Sequence, residues 1–390
     1  MVRFARLVIF FSFASLPIGN SIAQTRVEDK AFTIEVGVTG DFIRNFHGGI
    51  KQEMNYMGLE SMILRFDTEA AGWWKGGSLV MHGLNTHGGT PSSTLTGDFQ
   101  VFSNIEAGDH TGFYELVYIQ NLGDFTILAG QHDLNTEFVT TNSTDLFLNS
   151  SFGIMPTVSL NTPASIFPLA APCLALRWEP KGLWTYRAAV YDGNPGDMET
   201  NRYNMHWKMN RDEGVMAIAE AEMDRTHGGI GKGTLKIGGF YHTGSFEDMA
   251  DTNLTWSSNY GAYLTLHRIM KPSDGYHDEG INGFIQFGVA PRDRNVAAFY
   301  ASAGIRSFSP IPTRTHDLIG LSVAHLGTGS RWQSLSGDNQ KGETSLELTY
   351  LLQINDIYSI QPDLQFILNP GANEQVKDAL VGIIRFAIAF

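Results

Sequence analysis

From Ala31 onward the chain repeats one pattern: about ten residues in which apolar and polar side chains alternate, then a break rich in Gly, Asn, Asp or Pro. Ala31 to Phe42 sets Phe32, Ile34, Val36 and Val38 on one parity and Thr33, Glu35, Gly37 and Thr39 on the other. A period of two puts successive side chains on opposite faces of a β-strand. The same alternation predicts strands at Ser61 to Asp67, Ser78 to Asn85, Gly112 to Gln120, Asp124 to Leu134, Cys173 to Glu179, Trp184 to Asp192 and Gly214 to Met223. It continues at Thr234 to Thr243, Tyr260 to Ile269, Gly280 to Ala290, Asn295 to Phe308, Asp317 to Leu326, Thr344 to Ile354, Tyr358 to Leu368 and Asp378 to Phe390, which makes sixteen.

Which way the apolar parity faces decides the fold class. A soluble sandwich would pack Val, Ile and Leu inward and expose charge along the other parity. Here the apolar parity carries Ala and Gly in mid-strand and aromatics near strand ends, as at Tyr114, Tyr118, Trp178, Trp184, Tyr241, Tyr350 and Tyr358. An outward apolar band with an aromatic girdle at each edge, around a polar interior, is the arrangement of an outer-membrane barrel. Connection lengths agree, because such barrels alternate long outer loops with short periplasmic turns. Segments centred on Gln52, Gly88, Ser143, Met205, Asp251 and Gly337 read as loops of a dozen residues or more. Two connections break the alternation: Pro291 to Arg294 is short where a loop is expected, and Arg225 to Gly233 is long where a turn is expected. The chain stops on an aromatic, with Leu380, Gly382, Ile384, Phe386, Ile388 and Phe390 on one parity and Arg385 pointing inward.

One stretch has no period at all. Between Gly130 and Pro172 neither alternation nor a helical repeat is sustained, yet Phe138, Phe147, Phe152, Ile154, Met155, Val158, Ile166 and Phe167 give it too much apolar surface for a disordered linker. Connections this long in a folded unit are usually functional. Its apolar residues must be buried against another part of the protein.

Residues 1–23 read as an export signal: Arg3 and Arg6, an apolar run from Leu7 to Leu16, and small residues at Ser21-Ile22-Ala23. The expected mature unit is therefore a single barrel over residues 24–390. Net charge is −13, which argues against nucleic acid as a partner. A single cysteine, Cys173, rules out an internal disulfide. The twelve histidines lack metal-ligand spacing, so no metal or cofactor is expected. Hydrolase and metalloprotease motifs are absent, and Gly231-Lys232-Gly233 lacks both the first glycine and the final Ser or Thr of a phosphate loop.

Several short motifs, in order, resemble the carbohydrate-selective porin family: Gly130-Gln131-His132-Asp133-Leu134-Asn135, Phe147-Leu148-Asn149-Ser150-Ser151-Phe152-Gly153, Arg177-Trp178-Glu179-Pro180, Tyr191-Asp192-Gly193-Asn194-Pro195 and Gln361 to Gly371. The resemblance covers nearly all of the mature chain, and Cys173 departs from it where a glycine is expected. It implies an all-β fold, a 16-stranded antiparallel transmembrane barrel in the bacterial outer membrane. It also implies an inward-folded third outer loop and passive diffusion of monosaccharides such as glucose.

Selecting a sugar takes polar side chains for its hydroxyls and aromatics for its ring faces. The inward parity offers Arg65, Glu115, Arg177, Glu179 and Arg187, together with Glu35 and Arg385, and the long interval adds Asp133, Asn135 and Asn149. Trp73 and Trp74 could stack on rings or sit in a girdle. Facing Arg and Glu inside barrels also brace the wall, and Asn149-Ser150-Ser151 could tie the loop down. The expected partners are a monosaccharide, outer-membrane lipid and the barrel-assembly machinery, engaged through the strand ending at Phe390. Monomer and homotrimer both stay open. An outer-membrane barrel hydrolase and a soluble exported carbohydrate-binding β-protein are the alternatives. The barrel reading predicts a folded gel band that resists cold detergent and shifts on boiling; a single, unshifted band refutes it.

Overall fold

A computed structural model describes residues 30–390 except 200, 208, 226–231, 249, 252, 274–275, 309, 312 and 337–340. The predicted signal at 1–23 and the expected mature start at Gln24 lie outside the described residues. The strands are β1 (Phe32–Gly49), β2 (Met54–Asp67), β3 (Gly77–Gly88), β4 (His110–Leu122), β5 (Phe125–His132), β6 (Ala171–Trp178), β7 (Trp184–Asp192), β8 (Val215–Asp224) and β9 (Gly233–His242). After a small ribbon of β10 (Phe246–Glu247) and β11 (Thr255–Trp256) come β12 (Asn259–Ser273), β13 (Tyr276–Val289), β14 (Ala297–Phe308) and β15 (Leu318–Thr328). The last are β16 (Gly342–Gln353), β17 (Tyr358–Leu368) and β18 (Lys377–Ala389). All except the ribbon close into one barrel, and every predicted strand has its counterpart there.

The barrel closes by pairing β1 with β18, in a register that sets Asp41 opposite Arg385. Phe390 extends the seam: its N–H donates to the Val36 carbonyl at 2.9 Å and its carbonyl accepts from Val36 at 3.1 Å. Beside the seam Arg385 is fully buried and holds Asp41 through two hydrogen bonds of 2.7 and 2.8 Å.

The alternation is inside-out, as expected. On β1, Phe32 and Ile34 are 66% and 63% exposed, while Thr39 and Asp41 of the other parity are buried. At the rim that carries the chain's β1 start, Phe66 packs on Phe32 and Trp73, and Trp74 packs on Trp73 and donates to the Tyr118 hydroxyl at 2.8 Å. Phe125, Trp178 and Tyr186 stack further round. Trp73 and Trp74 therefore sit in the girdle rather than in the lumen.

Two connections differ from expectation: β3 runs on to Gly88, so the loop predicted around that residue occupies 89–109 instead. The predicted long loop centred on Gln52 is only residues 50–53, because the ladder between β1 and β2 runs on to Arg44 opposite Met54. The third outer connection, residues 133–170, does fold into the barrel. Phe147 and Phe152 meet Phe284 of β13 at ring distances of 5.6 and 5.8 Å, and Phe138, Val139, Leu146, Met155 and Val158 are buried with them. Two inward-facing glycines make room for it. A Cβ at Gly320 would stand 2.8 Å from Leu146 and 2.9 Å from Phe147, and one at Gly288 would run into Thr157.

The second outer connection, residues 89–109, also folds inward, which the sequence pattern does not reveal. Leu95, Phe102 and Ile105 are buried, and Ser103 donates to Asp41 at 2.7 Å, so the barrel seam anchors this loop as well. Replacing Gly320 by Val should push the long loop off its wall. The expected result is a barrel that still shows the heat-dependent gel shift but has a larger single-channel conductance; unchanged conductance would show that the loop does not depend on this contact.

Candidate functional site: the loop-lined constriction

A loop segment inside a barrel still needs partners for its backbone N–H and C=O groups. The wall supplies them as side chains. Glu347 of β16 accepts the N–H groups of Leu148 and Asn149 at 2.6 and 3.1 Å, and Glu220 of β8 accepts that of Val139 at 2.9 Å. Gln361 of β17 donates to the Leu146 carbonyl at 2.7 Å, Gln286 of β13 to that of Phe152 at 3.2 Å and Tyr300 of β14 to that of Ser151 at 2.7 Å. Glu343 holds the second loop, accepting from Phe99 and Gln100 at 2.8 and 3.0 Å. The two loops join where Asn104 N–H donates to Leu148 O and Ser150 N–H to Val101 O.

Between the loops lies a cavity of about 240 Å³. Its polar lining includes Gln100, Asn104, Glu106, Asp133, Asn135, Asp145, Ser150 and Ser151, and its apolar lining Phe99, Ile154 and Phe167. Gln100 is almost fully buried, and its Oε1 has no hydrogen-bond partner; nor does Oδ1 of Asn104.

The eight candidates divide into three groups. Asp133 and Asn135 line the cavity. Asp133 caps the short helix Leu134–Thr136 by accepting from Asn135 N–H at 2.8 Å, and Asn135 clasps both limbs of the loop through Phe138 O and Gly153 O at 3.2 and 3.0 Å. Glu115 and Asn149 secure the loop. Glu115 accepts the Asp133 N–H at 3.0 Å beside His82, while Asn149 caps Ser150–Phe152 and reaches Gln365 at 3.2 Å.

The remaining four belong to ion pairs on the wall. Arg65 pairs with Glu35 at 3.2 Å, away from the cavity. Arg177 lies 3.3 Å from both Glu137 and Glu179. Arg187 reaches Glu222, Glu220 and Glu137 at 2.6, 3.3 and 3.5 Å, and Lys236 extends the row to Glu220 at 3.4 Å. Glu137 belongs to the long loop, so this row also holds the loop.

Gln100, Asn104 and Glu106 also line the cavity and are not among the sequence candidates. They sit in a connection whose only visible property was length, and nothing in a period of two could mark it as turned inward.

A closed antiparallel barrel with an apolar outer band, a polar interior and loops narrowing its lumen is a porin, a channel and not an enzyme. Residues 51–390 match the model of the "Carbohydrate-selective porin, OprB family", and the chain belongs to that family. Its location is the bacterial outer membrane. Porin B of Pseudomonas aeruginosa is 23% identical over 256 residues, 57% of this chain and 56% of that protein. The chain's match spans about half the length of the curated relatives. The high-pH structure of Pseudomonas putida OprB has the same fold, with a TM-score of 0.85 at 18% identity over 94% of this chain and 96% of that one. The outer membrane channel DcaP of Acinetobacter baumannii is more distant, with a TM-score of 0.56 at 8% identity over 92% of this chain and 97% of that one.

Burial pushes three cavity carboxyl groups up to about 7: Glu106, Asp133, where the Glu115 charge adds to the shift, and Asp145, where Arg306 and Lys236 oppose it. An unperturbed carboxyl group titrates near ~4, so the folded chain holds extra protons between ~4 and ~7, and this contribution to stability falls as pH rises through that window. The cavity gains its negative charge as pH rises through about 7, where these folded groups ionise. Lowering pH from about 8 to about 5 should reduce cation preference, read from reversal potentials in a salt gradient, and Glu106→Gln should shrink that change. A preference independent of pH would contradict it.

Replacing Glu347 by Ala removes the acceptor for two buried N–H groups, at a cost of about 1–3 kcal/mol for each group left unpaired. The long loop should then fluctuate, seen as noisier and larger single-channel currents.

Proposed function

We infer that this chain carries small neutral sugars, monosaccharides above all, across the outer membrane by passive diffusion through the cavity between its second and third outer loops. The observation that carries this reading is the cavity lining. Amides and carboxylates can exchange hydrogen bonds with hydroxyls, and Phe99 and Phe167 offer faces for a sugar ring. Membership of a carbohydrate-selective family supports it. Asp133 and Asn135 take the role of sugar contacts. Arg65, Glu115, Asn149, Arg177, Glu179 and Arg187 act as braces that set the size and field of the passage. The seam strand ending at Phe390 serves barrel assembly, and single channels or homotrimers are both compatible with transport.

Liposome swelling tests the reading. Glucose should enter faster than an uncharged non-sugar of equal size, and equal rates would sink sugar selectivity while leaving the channel itself intact. Asn135→Asp should alter the ratio of sugar to non-sugar uptake more than the total ion conductance.

A further inference from the structure

Turning a long loop inward has a structural cost in the wall. β5 leaves the barrel at His132, so its pairing with β4 ends at Leu116 opposite Gln131, while β4 continues upward beside β3 as far as His110 opposite Thr86. The upper part of β4 therefore faces an opening where β5 has ended. Open sheet edges are not left exposed to hydrocarbon. The connection between β7 and β8 covers this one from outside: Phe113 N–H donates to Tyr203 O at 3.0 Å, and Asn204 Nδ2 donates to Ala170 O at 3.1 Å. Gln131 donates to the carbonyls of Phe113 and Tyr114, both at 2.9 Å, and accepts from Trp207 Nε1 at 2.7 Å.

This flap has reversed polarity. Asn201 and Asn204 are buried beneath it, whereas Tyr203, Met205, Trp207 and Met209 are 55%, 61%, 53% and 67% exposed. A loop facing water would turn those groups the other way. Basic residues are interleaved with the apolar ones: between Asn201 and Arg211 the sequence contains Arg202, Lys208 and Arg211 and no carboxylate, in a chain of net charge −13. The apolar wall continues beside the flap through Leu174 and Val190, both strongly exposed. Tyr, Trp and basic residues together suit the boundary between acyl chains and headgroups.

We propose that residues 201–207 and 209–211 form a membrane-docked flap that seals the wall above β5. It sinks Tyr203, Met205, Trp207 and Met209 into the outer leaflet and sets Arg202 and Arg211 against anionic lipid headgroups. The flap lies on the outer wall and its role does not rest on what passes through the lumen. Sealing of this kind keeps lipid out of the region where the constricting loop leaves the sheet.

The test uses the full-length protein in bilayers containing anionic lipid, comparing it with Trp207→Phe. The emission lost in the variant should be blue-shifted, quenched by lipids brominated high in the acyl chain, and insensitive to aqueous iodide. Quenching by iodide but not by bromolipid overturns the proposal by placing the flap in water. Protection from both quenchers, with cross-linking between copies, overturns it in favour of a subunit interface. If Trp207→Phe fails to show the heat-dependent gel shift, a spin label on Met205→Cys in a Cys173→Ala background gives the same reading: oxygen should broaden it more than a water-soluble nickel complex, and the reverse order refutes docking.

Discussion

The constriction depends on satisfying loop backbone inside a polar tube. Each buried N–H or C=O left unpaired costs about 1–3 kcal/mol, so two irregular loops can cross the lumen only if the wall presents matching groups along their paths. Glu220, Gln286, Tyr300, Glu343, Glu347 and Gln361 do so from strands distributed around half of the barrel. The inward side chains of those strands therefore act first as a mould for the loops. The small cavity lies between the two loops that the mould holds.

Charge is distributed according to the same requirement. Arg177 is buried and Arg187 half-buried, both close to carboxylates, and through Glu137 they grip the loop as well as the wall. Breaking one partner of such a group leaves an uncompensated buried charge, which is far costlier than losing an exposed pair. These arginines are thus fixed in place, while the cavity proper is lined by amides, hydroxyls and carboxyl groups. That division separates the charged groups that brace the wall and the loop from the groups that line the cavity.

The short β5 links interior to exterior. A full-length β5 would keep β4 paired but leave no exit for the long loop toward the lumen. Ending it at His132 frees the loop and exposes an edge, which the connection between β7 and β8 then covers with its polar side turned to the barrel and its apolar side outward. A change in one strand's length is answered by a segment some seventy residues further on, at Tyr203 to Trp207.

The sequence alone determined the strands, their number, the outward apolar face and the need to bury the aperiodic stretch from Gly130 to Pro172. Each follows from local periodicity, or from an apolar interval too rich for solvent, and needs no knowledge of which residues meet. It also brought out the inward polar residues, because parity fixes the side of the wall on which a side chain lies. What each of those does was decided by the tertiary structure: Arg177 and Glu137 are forty residues apart, and Asn149 and Gln365 more than two hundred. No local pattern records such contacts. The second inward loop, the grip of Glu343 on it and the reversed polarity of the flap became visible only once the barrel had closed, since closure decides which surfaces face the lumen, the lipid and one another.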